Sequence, residues 1–364
     1  MEILLTVLTF VPLIFILWLA NLAERSATAA RAARPAISAA WEEITAPHEP
    51  SRLPAILAYL LLVIFYGMLI SFGILIQAIG LLAGGPMAPS LGEAYTQMGI
   101  APEAFGRMGL GLWLPSLFGI LFLLPFVRGL ASRLLPEFRR ESPVHAVALS
   151  YTALIIANLL FTVGMGLGNI ANLMQQSAPL DLTPTLWAQE ICMALMALIG
   201  VGWLTRRSLA EGLRRLGIVP LKWNQILAGV GIGATLGVAV VVLEMLLARI
   251  GIVTDADVER LSEQLLGPLV KTPFGILTLG LAAALGEEPL FRGALQPRFG
   301  VLVTTVLFAL LHSTYGLSLA TAIVFGVGLV LALVRLRANT STCMLVHATY
   351  NITLGVIAAS GLLR

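Results

Sequence analysis

Glu287 and Glu288 stand side by side in Gly-Glu-Glu-Pro-Leu-Phe-Arg, inside an otherwise apolar stretch, with Arg292 one helical turn beyond Glu288. Phe308 and His312 recur at the same four-residue interval, and so do His347 and Asn351. An i,i+4 interval puts both members of a pair on one helix face, about one turn apart. An ionised side chain deep in a bilayer costs roughly 2.5 to 3.5 kcal/mol on insertion scales, so such residues need a partner or a task. The chemistry open to this set is hydrolytic. A carboxylate in an apolar layer is a competent general base for water, and a histidine beside it can share that water or carry its proton onward. His347 and Asn351 offer donors suited to a tetrahedral oxyanion. The planar fork of Arg292 can hold a carboxylate or a main-chain carbonyl. No serine or cysteine stands at a comparable spacing, which disfavours a covalent nucleophile.

The elements that must position these residues are membrane helices. Of the 364 residues 58% are hydrophobic and 11% charged, against about a quarter charged in soluble domains. Ten apolar runs approach or exceed the 17 to 25 residues that cross a bilayer, near 3–20, 54–83, 109–127, 143–173, 185–204, 224–250, 273–295, 299–314, 317–334 and 341–360. The expected fold is therefore an all-α polytopic transmembrane bundle of about ten helices. The first run lacks a basic stretch before it and reads as a retained helix instead of a cleaved signal peptide. With the N-terminus outside, 17 of the 22 Lys and Arg residues fall on the cytoplasmic side, as the positive-inside rule asks. Both termini are then expected outside, in a multi-pass protein of a bacterial plasma membrane.

Depth ties the three motifs together. The chain is expected to turn back near Pro297 to Gly300; Glu287 lies 12 residues before Phe299 and His312 lies 13 after it. At about 1.5 Å per residue both sit roughly 18 to 20 Å from the turn, hence level with each other. His347, 10 residues beyond Arg337, is about 15 Å inward on its own helix by the same rise. Three divisions follow: accessory helices over 1–205, a cytoplasmic amphipathic linker over 206–223 whose Leu209, Leu213 and Leu216 suit a headgroup surface, and a catalytic core over 224–364. Gly229, Gly231, Gly233 and Gly237 are expected to let helices approach closely.

Glu287-Glu288 with Arg292, Phe308 with His312, and His347 with Asn351 together resemble the EExxxR, FxxxH and HxxxN motifs of the CAAX protease and bacteriocin-processing family of intramembrane endopeptidases. The resemblance spans roughly residues 270–360. It implies that Glu287 and His312 activate the hydrolytic water, that His347 and Asn351 line the oxyanion site, and that Glu288 and Arg292 support them, with Phe308 a packing residue. No cofactor is expected on this reading; the alternative is zinc held by Glu287, His312 and His347, disfavoured because the zincin HExxH helix is absent. The implied substrate is a membrane-tethered protein or peptide reached from the cytoplasmic side or laterally from lipid.

Scattered loop arginines leave no electrostatic footprint for nucleic acid. Cys192 and Cys343 lack CxxC spacing and read as buried apolar residues. Glu190 and Glu244 have no partner at helical spacing and read as interfacial, His48 and His145 as surface histidines, and 251–272 as a polar connection. A transporter would want matching broken helices in two halves, and a non-proteolytic scaffold or immunity protein would be expected to lose the motif residues. Neither pattern is present.

Overall fold

The computed structural model describes residues 2–37, 52–83, 100–135, 137–176 and 181–361. His48, with residues 38–51 of the connection 24–52 and residues 84–99 of the connection 84–108, lies outside them. All described secondary structure is helical, apart from one isolated bridge between Trp203 and Arg207. Among the described residues eight helical stretches are long and apolar enough to cross a membrane. The fold is an all-α polytopic bundle.

The N-terminal half contains α1 (Glu2–Ile37), α2 (Leu53–Ala83), α3 (Pro102–Leu121), α4 (Pro125–Leu134), α5 (Pro143–Met165), α6 (Leu167–Gln176) and α7 (Thr183–Gly200). Then come α8 (Leu209–Leu216), α9 (Trp223–Arg249), α10 (Ala256–Val270) and α11 (Pro273–Glu288). A π-helical segment, Pro289–Leu295, leads into α12 (Gln296–Leu311), followed by α13 (Leu319–Arg337) and α14 (Thr340–Ser360). Proline at the first or second position opens α3, α4, α5 and α11, where its missing N–H is not needed. Outward-facing Ile56, Leu60, Ile64, Leu227, Val238 and Leu246 are exposed, as a lipid-facing surface requires. Within the bundle, Leu17, Ala20, Leu62, Tyr66, Val147 and Ile199 join α1, α2, α5 and α7 in one apolar cluster.

Several expected boundaries shift for local reasons. The run at 143–173 breaks at Gly166, whose φ of +88° ends α5 before α6 begins. The runs at 273–295 and 299–314 form one helical succession interrupted at Gly300, whose φ of +78° only glycine adopts readily. That residue makes the turn expected near Pro297 to Gly300. The helix over 185–204, which carries Gln189 and Glu190, is Thr183–Gly200 and is not among the eight apolar enough to cross. Counting it, and counting both arms of the Gly300 turn, reconciles ten sequence runs with eight apolar stretches.

Three other readings are corrected. The connection 251–272 contains α10, capped by Asp255 and packed on α6. His145 is buried, its Nδ1 accepting the Arg139 main-chain N–H at 2.9 Å, because the turn before α5 folds over it. The linker helix α8 is capped by Ser208 and Glu211, and the Ser208 main-chain N–H and hydroxyl hold the Glu211 carboxyl below its ordinary pKa. Its Leu216, however, is buried against Ala197 and Val201, so α8 docks on protein, and Leu209 is its one exposed leucine.

Candidate functional site

Alternate crossings give the bundle two ends. At one, Arg206 pairs with Glu24 at 2.7 Å, Arg298 pairs with Glu137 at 2.8 Å, and the Thr340 N–H donates to the Gly217 carbonyl at 3.0 Å. This is the arginine-rich end. At the other lie α6, α10, the turn Ser313–Tyr315 and the end of α14.

Glu287 and Glu288 occupy the last turn of α11. Pro289 follows, and because proline lacks an N–H and crowds the carbonyl four residues back, the α-ladder gives way to the wider π segment. Such π insertions are frequent at functional sites. Consecutive residues of a helix point about 100° apart, so the two carboxylates take different directions. Glu288 is fully buried, its Oε1 accepting from His347 Nδ1 at 2.8 Å and lying 3.4 Å from Arg292. Glu287 turns into a cavity of about 1240 Å³ also lined by His312, His347 and Asn351.

His312 sits just past the C-terminus of α12, and its Nδ1 meets the Phe308 carbonyl at 3.0 Å. Carbonyls in a helix's last turn have no intrahelical partner, so the Phe-x-x-x-His interval lets the histidine satisfy one of them. With Nδ1 donating there, Nε2 is left facing Glu287 Oε1 at 4.0 Å. Two residues 25 apart in sequence are thereby brought level across the Gly300 turn. Asn158 on α5 steadies that corner by donating to the Ser313 hydroxyl at 2.8 Å.

Arg292 does not snorkel. It is 1% exposed, donates to the Gly328 carbonyl at 3.2 Å and lies over the Phe308 ring at 4.2 Å. Phe308 in turn packs edge-on against Phe291 and His347. Asn351 donates to the Leu279 carbonyl at 3.1 Å, which leaves its second amide N–H for the cavity. Close approach of α14 to its neighbours rests on small residues: a Cβ on Gly280 would lie 2.7 Å from the Ala348 carbonyl oxygen. Gly229, Gly233 and Gly237 also face α14, whereas Gly231 faces nothing within 4 Å, contrary to expectation.

The sequence reading missed Glu190. It is 1% exposed, lines the same cavity as Glu287 and has its carboxylate against Gly286, whose own Cβ would fall 2.8 Å from the Glu190 Cα. Its neighbour is on another helix, so no spacing along α7 could reveal it. Tyr315, Tyr350 and the α10 residues Arg260 and Glu263 were likewise not singled out, yet all line the cavity. One oxygen each of Glu190 and Glu287 is buried without a protein partner, and polar recesses of this kind hold ordered water. Among the described residues no three His, Cys, Asp or Glu side chains group as a metal site.

No curated protein and no solved structure matches the chain. A family model does match, that of the Rce1-like type II CAAX prenyl endopeptidases, over residues 269–353. Those residues run from the end of α10 to α14 and include all three motifs. The helices that carry the cluster are accordingly similar to the Rce1-like type II CAAX prenyl endopeptidases over this stretch.

Proposed function

We propose that this protein is an intramembrane endopeptidase in which Glu287, assisted by His312, activates water against a peptide bond of a membrane-associated substrate. The observation that carries this reading is the Glu287–His312 pair, 4.0 Å apart and facing a large cavity while the neighbouring Glu288 is sealed away. Water between the pair loses a proton to Glu287 as its oxygen bonds to the scissile carbonyl carbon. The resulting oxyanion accepts hydrogen bonds from the unpaired Asn351 N–H and from Nε2 of His347, whose ring in this step is protonated on both nitrogens, Nδ1 still donating to Glu288. Collapse breaks the C–N bond, and the proton held by Glu287 or His312 passes to the leaving amine.

On this mechanism the protein needs no metal. Elemental analysis of the purified chain should find substoichiometric zinc, and 1,10-phenanthroline should leave the cleavage rate within about twofold. Stoichiometric zinc lost together with activity would instead make Glu287, His312 and His347 ligands.

The run of the cavity along the bundle bears on how substrates reach the site. From the Glu287 layer the cavity follows Ala283 and Leu279 on α11, Leu354 and Ala358 on α14, and Gln189 and Leu186 on α7. All lead toward the end with α10, away from the arginine-rich end. If the arginine-rich end is cytoplasmic, as the bias of basic residues favours, substrates reach the site from the opposite face. Both native cysteines are buried, so single cysteines report cleanly. Glu263→Cys, exposed on α10, should react with a membrane-impermeant maleimide added to intact cells, and Arg140→Cys only after permeabilisation. The reverse pattern would return the opening to the cytoplasm.

A further inference from the structure

The bundle holds a second cavity, of about 450 Å³, in the half that the active-site cavity leaves free. Its volume lies within the range of small-molecule sites. Its walls are apolar and come from both halves of the chain: Phe10 and Leu13 of α1, Ile155 of α5, Met193 of α7, Phe291 of the π segment and Leu311 of α12. Its mouth is different. Arg139, Arg206, Arg207, Arg215 and Arg298 line it, and no aspartate or glutamate does among the described residues.

The counter-charge at hand is insufficient. Glu24 serves Arg206 at 2.7 Å and Arg139 at 3.7 Å, and Glu137 serves Arg298. Arg207 spends a guanidinium N–H on the Val201 carbonyl, and Arg215 has neither an ion pair nor a hydrogen bond among the described residues. Arg206 Nε is buried without a partner. Burial holds the pKa of Arg206, Arg207 and Arg215 below its ordinary value, and adjacent arginines add to the effect. A cluster under that strain gains most from an anion whose own remainder is apolar. The helix ends place it at the level of the headgroups, since the first membrane-crossing stretch ends at Arg25 and the fourth begins at Pro143.

We propose that this cavity is a binding site for an anionic phospholipid, the phosphate held by the arginine mouth and an acyl chain lying in the apolar bore. Basic recesses between transmembrane helices bind lipid headgroups by this chemistry. The bore is walled by Phe291, which packs edge-on against Phe308 at 5.4 Å. Phe308 supports His312 and Arg292, so the acyl chain would brace the back of the catalytic layer and join the N-terminal helices to it. The proposal is independent of which bond the enzyme cleaves.

The full chain, delipidated in a neutral detergent, should retain dioleoyl phosphatidylglycerol in native mass spectra and melt at higher temperature with it. Dioleoyl phosphatidylcholine should do neither. Arg215→Gln should weaken phosphatidylglycerol retention about fivefold, the worth of one arginine near an anionic headgroup. Ala148→Trp, which fills the bore and leaves the arginines in place, should abolish retention, and it decides the matter if Arg215→Gln fails to fold. Equal retention of both lipids would overturn the site, as would wild-type retention by Ala148→Trp. Inorganic phosphate raising the melting temperature as much as the lipid would reduce it to an anion site and overturn the lipid assignment.

Discussion

Glu287→Gln should lower the cleavage rate by about 10² to 10⁴-fold, the range over which a positioned general base acts, while leaving the melting temperature of the purified protein essentially unchanged. The substitution keeps shape and volume and removes only the capacity to take a proton from water. Among the described residues Glu287 makes no ion pair with an arginine or lysine, and its one salt-bridge-range partner is His312 at 4.0 Å, so the fold does not lean on it. The measurement is hydrolysis of a quenched-fluorescence peptide library by proteoliposomes holding wild type or variant. If Glu287 and His312 act on one water, as proposed, Glu287→Gln combined with His312→Ala should be scarcely slower than either alone; residues that work as a unit are non-additive in this way. A Glu287→Gln protein that cleaves at the wild-type rate would sink the assignment, and the water-activating carboxylate would then be sought at Glu190.

Arg292→Ala should fail differently, by loss of stability. Its guanidinium is enclosed by Glu288, the Gly328 carbonyl and the Phe308 ring, and its own carbonyl accepts from Arg335 Nε at 3.2 Å. Removing one partner of a buried ion pair strands the other charge and costs roughly 3 to 5 kcal/mol. Arg292→Ala should therefore melt far below wild type in detergent, followed by tryptophan fluorescence. Arg292→Lys should recover part of the loss, because a lysine restores the charge but neither the fork nor the stacking on Phe308. An Arg292→Ala protein as stable as wild type would mean that the Glu288 carboxylate is satisfied by His347 alone. Together the two variants would separate the roles proposed for the adjacent glutamates, one acting on water and the other holding helices in register.

The membrane class, the helices and the level of the chemistry were legible in the sequence because each depends on local information. Apolar run length reports crossing, a fixed rise per residue reports depth, and four-residue intervals report a shared helix face. Those rules sufficed to predict that Glu287 and His312 meet across the turn at Gly300, and the distance of 4.0 Å agrees. What they could not give was which neighbours each carboxylate meets. Glu288 enters the core against Arg292 and His347 while Glu287 faces the cavity, a division set by the helices that pack on each face of α11. Nor could they find Glu190, whose neighbour lies across a helix interface, or the burial of His145 and Leu216 under segments that read as loops and linkers. The two cavities, one reaching the α10 end and the other the arginine-rich end, are likewise properties of packing. Sequence spacing determined which residues share a layer, and tertiary contacts between distant helices decided which of them line the cavity, which face each other, and toward which end of the bundle the cavity runs.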